Sequence, residues 1–190
     1  MIQAIIFDCF GVLAEDGWLP FKRRYIGDNQ ELAQQAADLG KQNEFGMINN
    51  DEYYQQAAQL LGVEESVLRG ALGKRVANDE LFEFIEKELK PKYKIGMLSN
   101  ANYDVLGELF TPMQASVFDA SVMSFKDKLI KPDLRMFELM ATRLDVEMEE
   151  CVMIDDVERY CVAAEEAGMS SVVYKNPTQA TQDLLQILSR

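Results

Sequence analysis

The chain has 190 residues, 48% of them hydrophobic, which is enough for one substantial core with a small appended domain. A formal net charge of −13 argues against nucleic acid or an anionic membrane as a partner, because both would repel the protein. The sequence contains no histidine, which excludes Ser-His-Asp and Cys-His catalysis and every zinc site with histidine ligands.

No apolar run approaches the roughly 18–20 residues that would span a bilayer. The N-terminus lacks the basic segment of a signal peptide, and Asp8 interrupts its apolar stretch, so we expect a cytoplasmic protein. The three cysteines have neither metal-ligand spacing nor the even number of a disulfide set. Acid–base chemistry must therefore come from Asp, Glu, Lys, Tyr or Cys, and a catalytic metal would be a hard cation with oxygen ligands.

Short apolar runs along the chain predict five strands, and amphipathic helices accompany the later ones. The predicted strands cover residues 4–7, 94–98, 120–123, 152–154 and 171–174. The predicted helices cover residues 134–144, 158–167 and 179–189. Strands that alternate with helices predict a parallel, doubly wound, Rossmann-like α/β sheet.

The long interval between the first two strands interrupts this alternation. Helical patterns over residues 31–43, 50–61 and 64–72 fill it, separated by Gly46 and Gly62, and a helix at 80–89 returns to the sheet. An insertion of this size directly after the first strand predicts a small helical cap beside the strand ends. We therefore expect an α/β core of residues 1–15 and 78–190 and a helical cap of residues 16–77.

Four segments place polar groups at or just beyond the ends of predicted strands or before a helix. They are Asp8, Ser99 with Asn100, the lysines Lys126, Lys128 and Lys131, and the pair Asp155 with Asp156. Parallel strands would gather these groups at one edge of the sheet, where α/β proteins bind ligands. Carboxylates for a divalent cation, a free carboxylate for attack, a hydroxyl and a lysine are the parts that phosphoryl transfer needs.

The ordered motifs resemble the haloacid dehalogenase-like (HAD) hydrolase superfamily over nearly the whole chain. They are Asp8-Cys-Phe-Gly-Val-Leu, Leu98-Ser99-Asn100, Lys131-Pro132-Asp133 and Ile154-Asp155-Asp156. The segment that begins at Gly46 is similar to the cap of the subfamily in which a helical cap follows the first motif. The resemblance implies a Rossmann-like core and a small helical cap.

The resemblance also implies roles for single residues. Asp8 would attack phosphorus and form an aspartyl-phosphate, and Lys131 would balance the negative charge. Ser99 and the backbone around Asn100 would bind the phosphoryl oxygens of a small phosphorylated substrate. Mg²⁺ would be held by the set Asp8, the backbone carbonyl of Phe10, Asp155 and Asp156.

Two positions depart from the family's phosphatases. Phe10 stands where they have a second Asp, which protonates the leaving group, and Tyr160 stands where many relatives have Asn or Asp. A positioned acid–base group contributes about 10²–10⁴-fold to rate, so we expect a weakened or substrate-restricted phosphohydrolase. Glu15 or Asp16 would be the nearest substitutes along the chain.

Two alternatives stay open. Arg23 and Arg24, in a locally basic patch near the predicted site, are candidates for binding a substrate anion. The dehalogenase branch of the family has an aromatic residue at the position of Phe10, and its members bind a substrate carboxylate with a cap arginine, which this patch could supply. That branch lacks the paired acids, however, and needs no metal, so Asp155 and Asp156 favour the phosphohydrolase. A catalytically silent relative that only binds a ligand or partner is the second alternative.

Overall fold

A computed structural model, which describes residues 1–73 and 75–189, contains the predicted parallel α/β sheet. Its strands are β1 (Ala4–Phe7), β2 (Lys94–Ser99), β3 (Ala120–Met123), β4 (Cys151–Asp155) and β5 (Ser170–Val173). They run parallel in the spatial order β3-β2-β1-β4-β5. β2 and β4 each extend one residue further than predicted, so Ser99 and Asp155 end these strands instead of following them.

Eleven α-helices are described in residues 1–73 and 75–189. They are α1 (Trp18–Tyr25), α2 (Gln30–Glu44), α3 (Asn50–Leu61), α4 (Glu65–Gly73), α5 (Asp79–Phe84), α6 (Val105–Glu108), α7 (Pro112–Ala115), α8 (Ser124–Asp127), α9 (Leu134–Leu144), α10 (Glu158–Glu166) and α11 (Pro177–Leu188). A π-helical turn, Ile85–Leu89, continues α5, and a 3₁₀ turn, Met148–Glu150, precedes β4. The short helices α6, α7 and α8 were not among the predicted helices, because four residues are too few to show a helical period.

Helices cover both faces of the sheet because successive residues of each strand point to opposite sides. In β1, Ile5 and Phe7 join the hydrophobic cluster under α5 and α11, whereas Ala4 and Ile6 join the cluster under α9 and α10. All four side chains are fully buried. The continuous apolar run of β1 is thus the signature of a central strand packed on both faces, as the sequence predicts.

The helices α1 to α4 have a hydrophobic cluster of their own. Its buried members begin at Phe21 and end at Leu72, within the range predicted for the cap. The two chain segments that connect this region to the sheet run side by side: Ala14 and Ala77 form an antiparallel bridge, and the Asn78 N–H donates to the Leu13 carbonyl at 2.8 Å. The division into core and cap at these residues stays a prediction.

Side-chain caps explain where the cap helices begin and end. The Asn49 side chain accepts from the Glu52 N–H at 2.9 Å, and the Glu52 carboxylate accepts from the Asn49 N–H at 2.8 Å, which closes a capping box at the start of α3. Gly62 ends α3 with a left-handed φ of 65°.

No helix in the described ranges is both long enough and apolar enough to cross a bilayer. The cytoplasmic location stays a prediction.

Candidate active site

Three carboxylates meet at the carboxyl edge of the sheet. The Asp8 N–H donates to the Ile154 carbonyl at 2.9 Å, which continues the pairing of β1 with β4 and sets Asp8 beside Asp155. Asp156 follows directly, and one carboxylate oxygen from each of the three residues lies within 4.8 Å of the others. Residues nearly 150 positions apart along the chain therefore share one cluster because parallel strands end at the same edge.

Lys131 neutralises part of this cluster. Its Nζ atom lies 2.8 Å from Asp8 Oδ1 and 2.5 Å from Asp155 Oδ2, and the lysine side chain is 1% exposed. Lys126 and Lys128 are both exposed. The structure thus places Lys131, and neither of the two competing lysines, in contact with the carboxylates.

The charges in the cluster do not balance. Three carboxylates face one ammonium group, which leaves a formal charge of −2 when all are ionised. Burial is the largest effect on Asp8 and raises its pKa, with Lys131 opposing and Asp155 adding to the rise. Burial lowers the pKa of Lys131, but Asp155 and Asp8 together hold it above its ordinary value, so the lysine stays charged. Burial and the neighbouring Asp155 raise the pKa of Asp156 to about 6.

The uncompensated charge and the all-oxygen donor set fit a hard divalent cation such as Mg²⁺. The candidate ligands are the carboxylates of Asp8, Asp155 and Asp156. The turn after β1 is closed by bonds from the Ala14 N–H to the Cys9 carbonyl and from the Gly11 N–H to the Ala14 carbonyl. Neither bond uses the carbonyl of Phe10, the fourth ligand that the sequence analysis expects.

Gly11 makes room for one of these carboxylates. Its φ of +90° is a backbone conformation that residues other than glycine rarely adopt. A Cβ atom at this position would also lie 2.5 Å from Asp156 Oδ2. A glycine is therefore required both by the backbone and by the close approach of Asp156.

Ser99 and Asn100 have different roles at the end of β2. The Ser99 hydroxyl is fully buried and has no hydrogen-bond partner within the described part of the chain, so an incoming phosphoryl oxygen could satisfy it. The Asn100 side chain instead binds the backbone of Lys131: its Oδ1 accepts from the Lys131 N–H at 2.8 Å and its Nδ2 donates to the Lys131 carbonyl at 3.3 Å. The Asn100 side chain therefore positions the lysine, and binding of a phosphoryl oxygen by the nearby backbone stays a prediction.

Tyr160, which departs from the family pattern, packs beside the same lysine. Lys131 Nζ lies 4.9 Å from the centroid of its ring, a cation–π distance. The Tyr160 hydroxyl accepts from Arg159 Nη2 at 3.0 Å and lies 3.4 Å from Asn100 Nδ2. The tyrosine thus contacts both Lys131 and Asn100, the residue that holds the lysine backbone.

A cavity of about 950 Å³ opens between the sheet edge and the cap helices. Asp8, Lys131 and Asp156 line it on the sheet side, and aromatic side chains including Trp18, Tyr53, Tyr54 and Tyr103 line its walls. Its cations in the described chain are Lys41, Arg75, Lys131 and Arg159. The expectation that Arg23 or Arg24 grips a substrate anion finds no support, because α1 buries Phe21 and leaves both arginines exposed, outside the cavity lining.

Arg75 is a cavity residue that the sequence analysis missed. Its guanidinium carbon lies 3.9 Å from the centroid of the Phe10 ring, and its Nη1 donates to the Tyr103 hydroxyl at 3.0 Å. Nε donates to the Leu72 carbonyl at 3.0 Å. The arginine thus fixes Phe10 against the connection between cap and core, and no periodic pattern in the sequence signals it.

Glu44, the last residue of α2, is a second cavity residue that the sequence analysis missed. Burial raises its pKa to about 7, and the cations Lys131, Arg159 and Lys41 oppose this rise. Of the two substitute acids that the sequence suggests, Glu15 is exposed, and Asp16 lines the cavity with its Oδ1 accepting from the Trp18 N–H at 2.9 Å.

Polar contacts hold the cap over the sheet edge. The Ser124 hydroxyl lies 3.0 Å from the Glu44 carbonyl and 2.8 Å from the Ala101 carbonyl. Asn102, in the loop after β2, donates from Nδ2 to Asn50 Oδ1 at 2.5 Å and to Asn43 Oδ1. The loop that follows Ser99 therefore carries both the candidate phosphate site and the attachment of the cap.

Comparisons with known proteins found a matching family model, related sequences and solved structures with the same fold. A family model described as haloacid dehalogenase-like hydrolase matches residues 2–168. The sesquiterpene phosphatase astK of Aspergillus oryzae is 22% identical over 193 residues, a match that covers 98% of this chain and 96% of that protein. Acyl-CoA dehydrogenase family member 10 of Mus musculus is 29% identical over 92 residues, which cover 48% of this chain and 9% of that much longer protein. A HAD family enzyme of Bacteroides thetaiotaomicron, solved in complex with magnesium and inorganic phosphate, is 24% identical with a TM-score of 0.69, and the match covers 93% of this chain and 96% of that one.

Proposed function

Because this chain belongs to the haloacid dehalogenase-like hydrolases, we propose that it is a Mg²⁺-dependent phosphohydrolase that acts on a small phosphorylated metabolite. The observation that carries the proposal is the convergence of Asp8, Asp155 and Asp156 within 4.8 Å around one buried lysine. A dehalogenase that binds no metal ion would have no use for two further carboxylates beside its nucleophile, since Lys131 alone does not balance the repulsion among three carboxylates.

The similar proteins support the same reaction class. The Bacteroides thetaiotaomicron enzyme was solved with magnesium and inorganic phosphate, and the Aspergillus oryzae relative is a phosphatase. Mg²⁺ bound by Asp8, Asp155, Asp156 and the Phe10 carbonyl would supply Lewis-acid stabilisation of the phosphoryl oxygens.

The remaining work belongs to residues of the chain itself. A carboxylate oxygen of Asp8 attacks phosphorus as the bond from phosphorus to the leaving-group oxygen breaks, which releases the leaving group and forms an aspartyl-phosphate; water then attacks its phosphorus, which releases inorganic phosphate and restores Asp8. Lys131 stays charged between Asp8 and Asp155, so it offsets the negative charge that gathers during transfer. The buried Ser99 hydroxyl gains a partner when it donates to a phosphoryl oxygen.

Phe10 restricts this reaction to favourable leaving groups. Its side chain cannot protonate the leaving oxygen, so acyl and aryl phosphates, whose leaving groups need no proton, should be better substrates than sugar phosphates. The acid that Phe10 replaces is typically worth about 10²–10⁴-fold. We expect Phe10→Asp to raise sugar-phosphate turnover, and equal efficiency on both substrate classes in the unchanged protein would contradict this restriction.

The test of the proposal is hydrolysis of p-nitrophenyl phosphate and acetyl phosphate with Mg²⁺, with a chelator, and with the variant Asp8→Asn. We expect activity that requires both the cation and Asp8, while the exposed, matched variant Asp145→Asn keeps it. Beryllium fluoride, which mimics aspartyl-phosphate, should raise the unfolding temperature only when Mg²⁺ and Asp8 are both present. Stabilisation without turnover of any phosphorylated substrate would indicate the silent relative instead.

One observation favours a second candidate, dehalogenation of a 2-haloacid. An aromatic residue at the position of Phe10 suits a halide, which leaves without a proton. Halide release from a 2-haloacid in the presence of a chelator would support this activity and overturn the phosphohydrolase, whereas its loss with chelator would exclude it.

A further inference from the structure

The proposed phosphohydrolase lacks an acid where Phe10 stands, and the cavity contains a carboxyl group that could replace it from the cap. Glu44 lines the same cavity as Asp8 and Asp156, but it comes from the end of α2 instead of the strand edge. This inference rests on the proposed function. It concerns the alkyl phosphates whose turnover needs a proton donor.

The backbone of Glu44 is tied to the phosphate-binding end of the sheet. The Ser124 hydroxyl, which is fully buried, lies 3.0 Å from the Glu44 carbonyl and 2.8 Å from the Ala101 carbonyl, and it accepts from the Ala101 N–H at 3.0 Å. Ala101 follows Asn100, whose side chain holds Lys131. A short chain of hydrogen bonds therefore links Glu44 to the residues expected to bind the phosphoryl group.

The direction of attack places the leaving group on the cap side. Asp8 attacks from the sheet edge, and in-line transfer puts the leaving oxygen on the opposite face of phosphorus. Of the two cap carboxyl groups in the described cavity lining, Asp16 is bound by the Trp18 N–H. The carboxyl of Glu44 accepts no hydrogen bond from residues 1–73 or 75–189, so it is available to a ligand.

Charged and titratable groups surround Glu44 from several elements. Lys131, Arg159 and Lys41 attract its carboxylate, and Tyr53 and Tyr160 face the same region. Burial outweighs the three cations and raises the pKa of Glu44 to about 7. A group that is partly protonated near neutral pH can both donate and accept a proton there.

We propose that Glu44 is the general acid that supports the residual turnover of alkyl phosphates and partly offsets the side chain missing at Phe10. As the bond from Asp8 to phosphorus forms and the bond from phosphorus to the ester oxygen breaks, the Glu44 carboxyl gives its proton to that oxygen and the alcohol leaves. Water then hydrolyses the aspartyl-phosphate and releases inorganic phosphate, a step common to all substrates, and the Glu44 carboxylate regains its proton from solvent.

The test compares an alkyl phosphate, glycerol 2-phosphate, with p-nitrophenyl phosphate in the full chain with Mg²⁺. We expect Glu44→Gln to lower kcat for the alkyl phosphate by about 10²-fold or more and to change kcat for the aryl phosphate little. In the unchanged protein, kcat for the alkyl phosphate should fall as pH rises past about 7, where Glu44 loses its proton, and this limb should be absent in Glu44→Gln. The matched control is Glu31→Gln, an exposed position of the same helix outside the cavity.

The possible outcomes separate this inference from the proposed function. Loss of both activities to the same extent in Glu44→Gln would assign the residue a structural role and overturn the inference. A selective loss in Asp16→Asn but not in Glu44→Gln would transfer the role to Asp16 and also overturn it. Aryl-phosphate turnover with no alkyl-phosphate turnover at all would refute Glu44 as an acid while the phosphohydrolase stands. If the unchanged protein hydrolyses neither ester, the proposed function itself fails.

Discussion

The sheet edge and the cap contribute to the same cavity by different physical means. At the sheet edge, Asp8, Lys131 and Asp155 have side chains no more than 9% exposed, and each contacts another charged group. The cap faces them with aromatic rings and a part-buried carboxyl, and it is attached through amide and hydroxyl hydrogen bonds such as those of Asn102 and Ser124.

This difference separates two kinds of requirement. Buried charges at the sheet edge must stay paired, because the loss of one partner leaves the others uncompensated in a poorly solvated place. The cap is constrained mainly by packing, so its polar residues can differ without disturbing the charge cluster. Substitutions at the sheet edge should therefore cost more stability than substitutions in the cap.

The largest effect should follow Lys131→Met. It leaves Asp8 and Asp155 without their shared cation, so we expect the free energy of unfolding to fall by about 3–5 kcal/mol and hydrolysis to cease. Urea unfolding measures the change, with the exposed Lys128→Met as the matched control. An equal fall in the free energy of unfolding of both variants would show that the buried ion pairs of Lys131 do not add to stability.

Metal binding gives the next test of the sheet edge. Mg²⁺ at a concentration of about 100 times its Kd should stabilise the protein by about 2.7 kcal/mol, because it binds the folded chain and not the unfolded one. Asp155→Asn should abolish this gain, whereas Asp145→Asn, whose side chain is fully exposed, should retain it. Thermal unfolding with and without Mg²⁺ measures the gain within each variant, so that differences in basal stability cancel. An undiminished gain in Asp155→Asn would remove this residue from the metal site.

Gly11→Ala tests the close approach between the first turn and Asp156. The positive φ of Gly11 makes alanine cost about 1–3 kcal/mol, and the new Cβ atom would displace the Asp156 carboxylate. We therefore expect weaker Mg²⁺ binding as well as lower stability, measured by calorimetric titration and urea unfolding. Gly70→Ala in α4, where a Cβ atom meets nothing within 4 Å, is the control: it should leave Mg²⁺ affinity unchanged and raise stability by about 0.5–1 kcal/mol, because alanine favours a helix. Unchanged Mg²⁺ affinity in Gly11→Ala would mean that Asp156 is not needed for the metal.

The smallest effect concerns the pH dependence of stability in the cap. The pKa of Glu44 is raised from 4.5 to about 7, which means that its protonated form favours the folded protein. This stabilisation is fully present below about pH 4.5 and is lost as pH rises to about 7. Over this range the free energy of unfolding of the unchanged protein should fall by about 1 kcal/mol relative to that of Glu44→Gln. This figure is smaller than the full pKa shift implies, because Glu44 is partly exposed and solvent screens its charge. Urea unfolding at a series of pH values measures the difference between the two proteins. Parallel stability curves would show that Glu44 titrates normally.

Much of the fold could be predicted because its signals are local. Continuous apolar runs ending in Asp8 or before Asp155 identified central strands with carboxylates at their ends, and the predicted helix at residues 134–144 coincides with α9. Parallel pairing then brings such strand ends together without further information. The predicted helix at residues 50–61 coincides with α3, and Asn49 just before it is the N-cap.

The cap side of the cavity could not be predicted in the same way. Which face of a cap helix meets the sheet depends on packing between elements that are distant in sequence. No sequence pattern therefore distinguishes the exposed Arg23 and Arg24 from the cavity residues Glu44 and Arg75. The family motif favoured Lys131 over Lys126 and Lys128, and the structure shows how Asn100 fixes the backbone of Lys131.

The amino-acid sequence by itself determined the parallel sheet, its strand ends and the family's ordered acids, since these depend on local hydrophobic runs and on chain order. Only the tertiary structure decided how Lys131 bridges two of the acids, how Tyr160 and Arg75 pack beside the site, and which carboxyl group lines the cavity from the cap. The physical reason is that such contacts arise where separate elements pack together, and burial there sets both the geometry and the charge of each group.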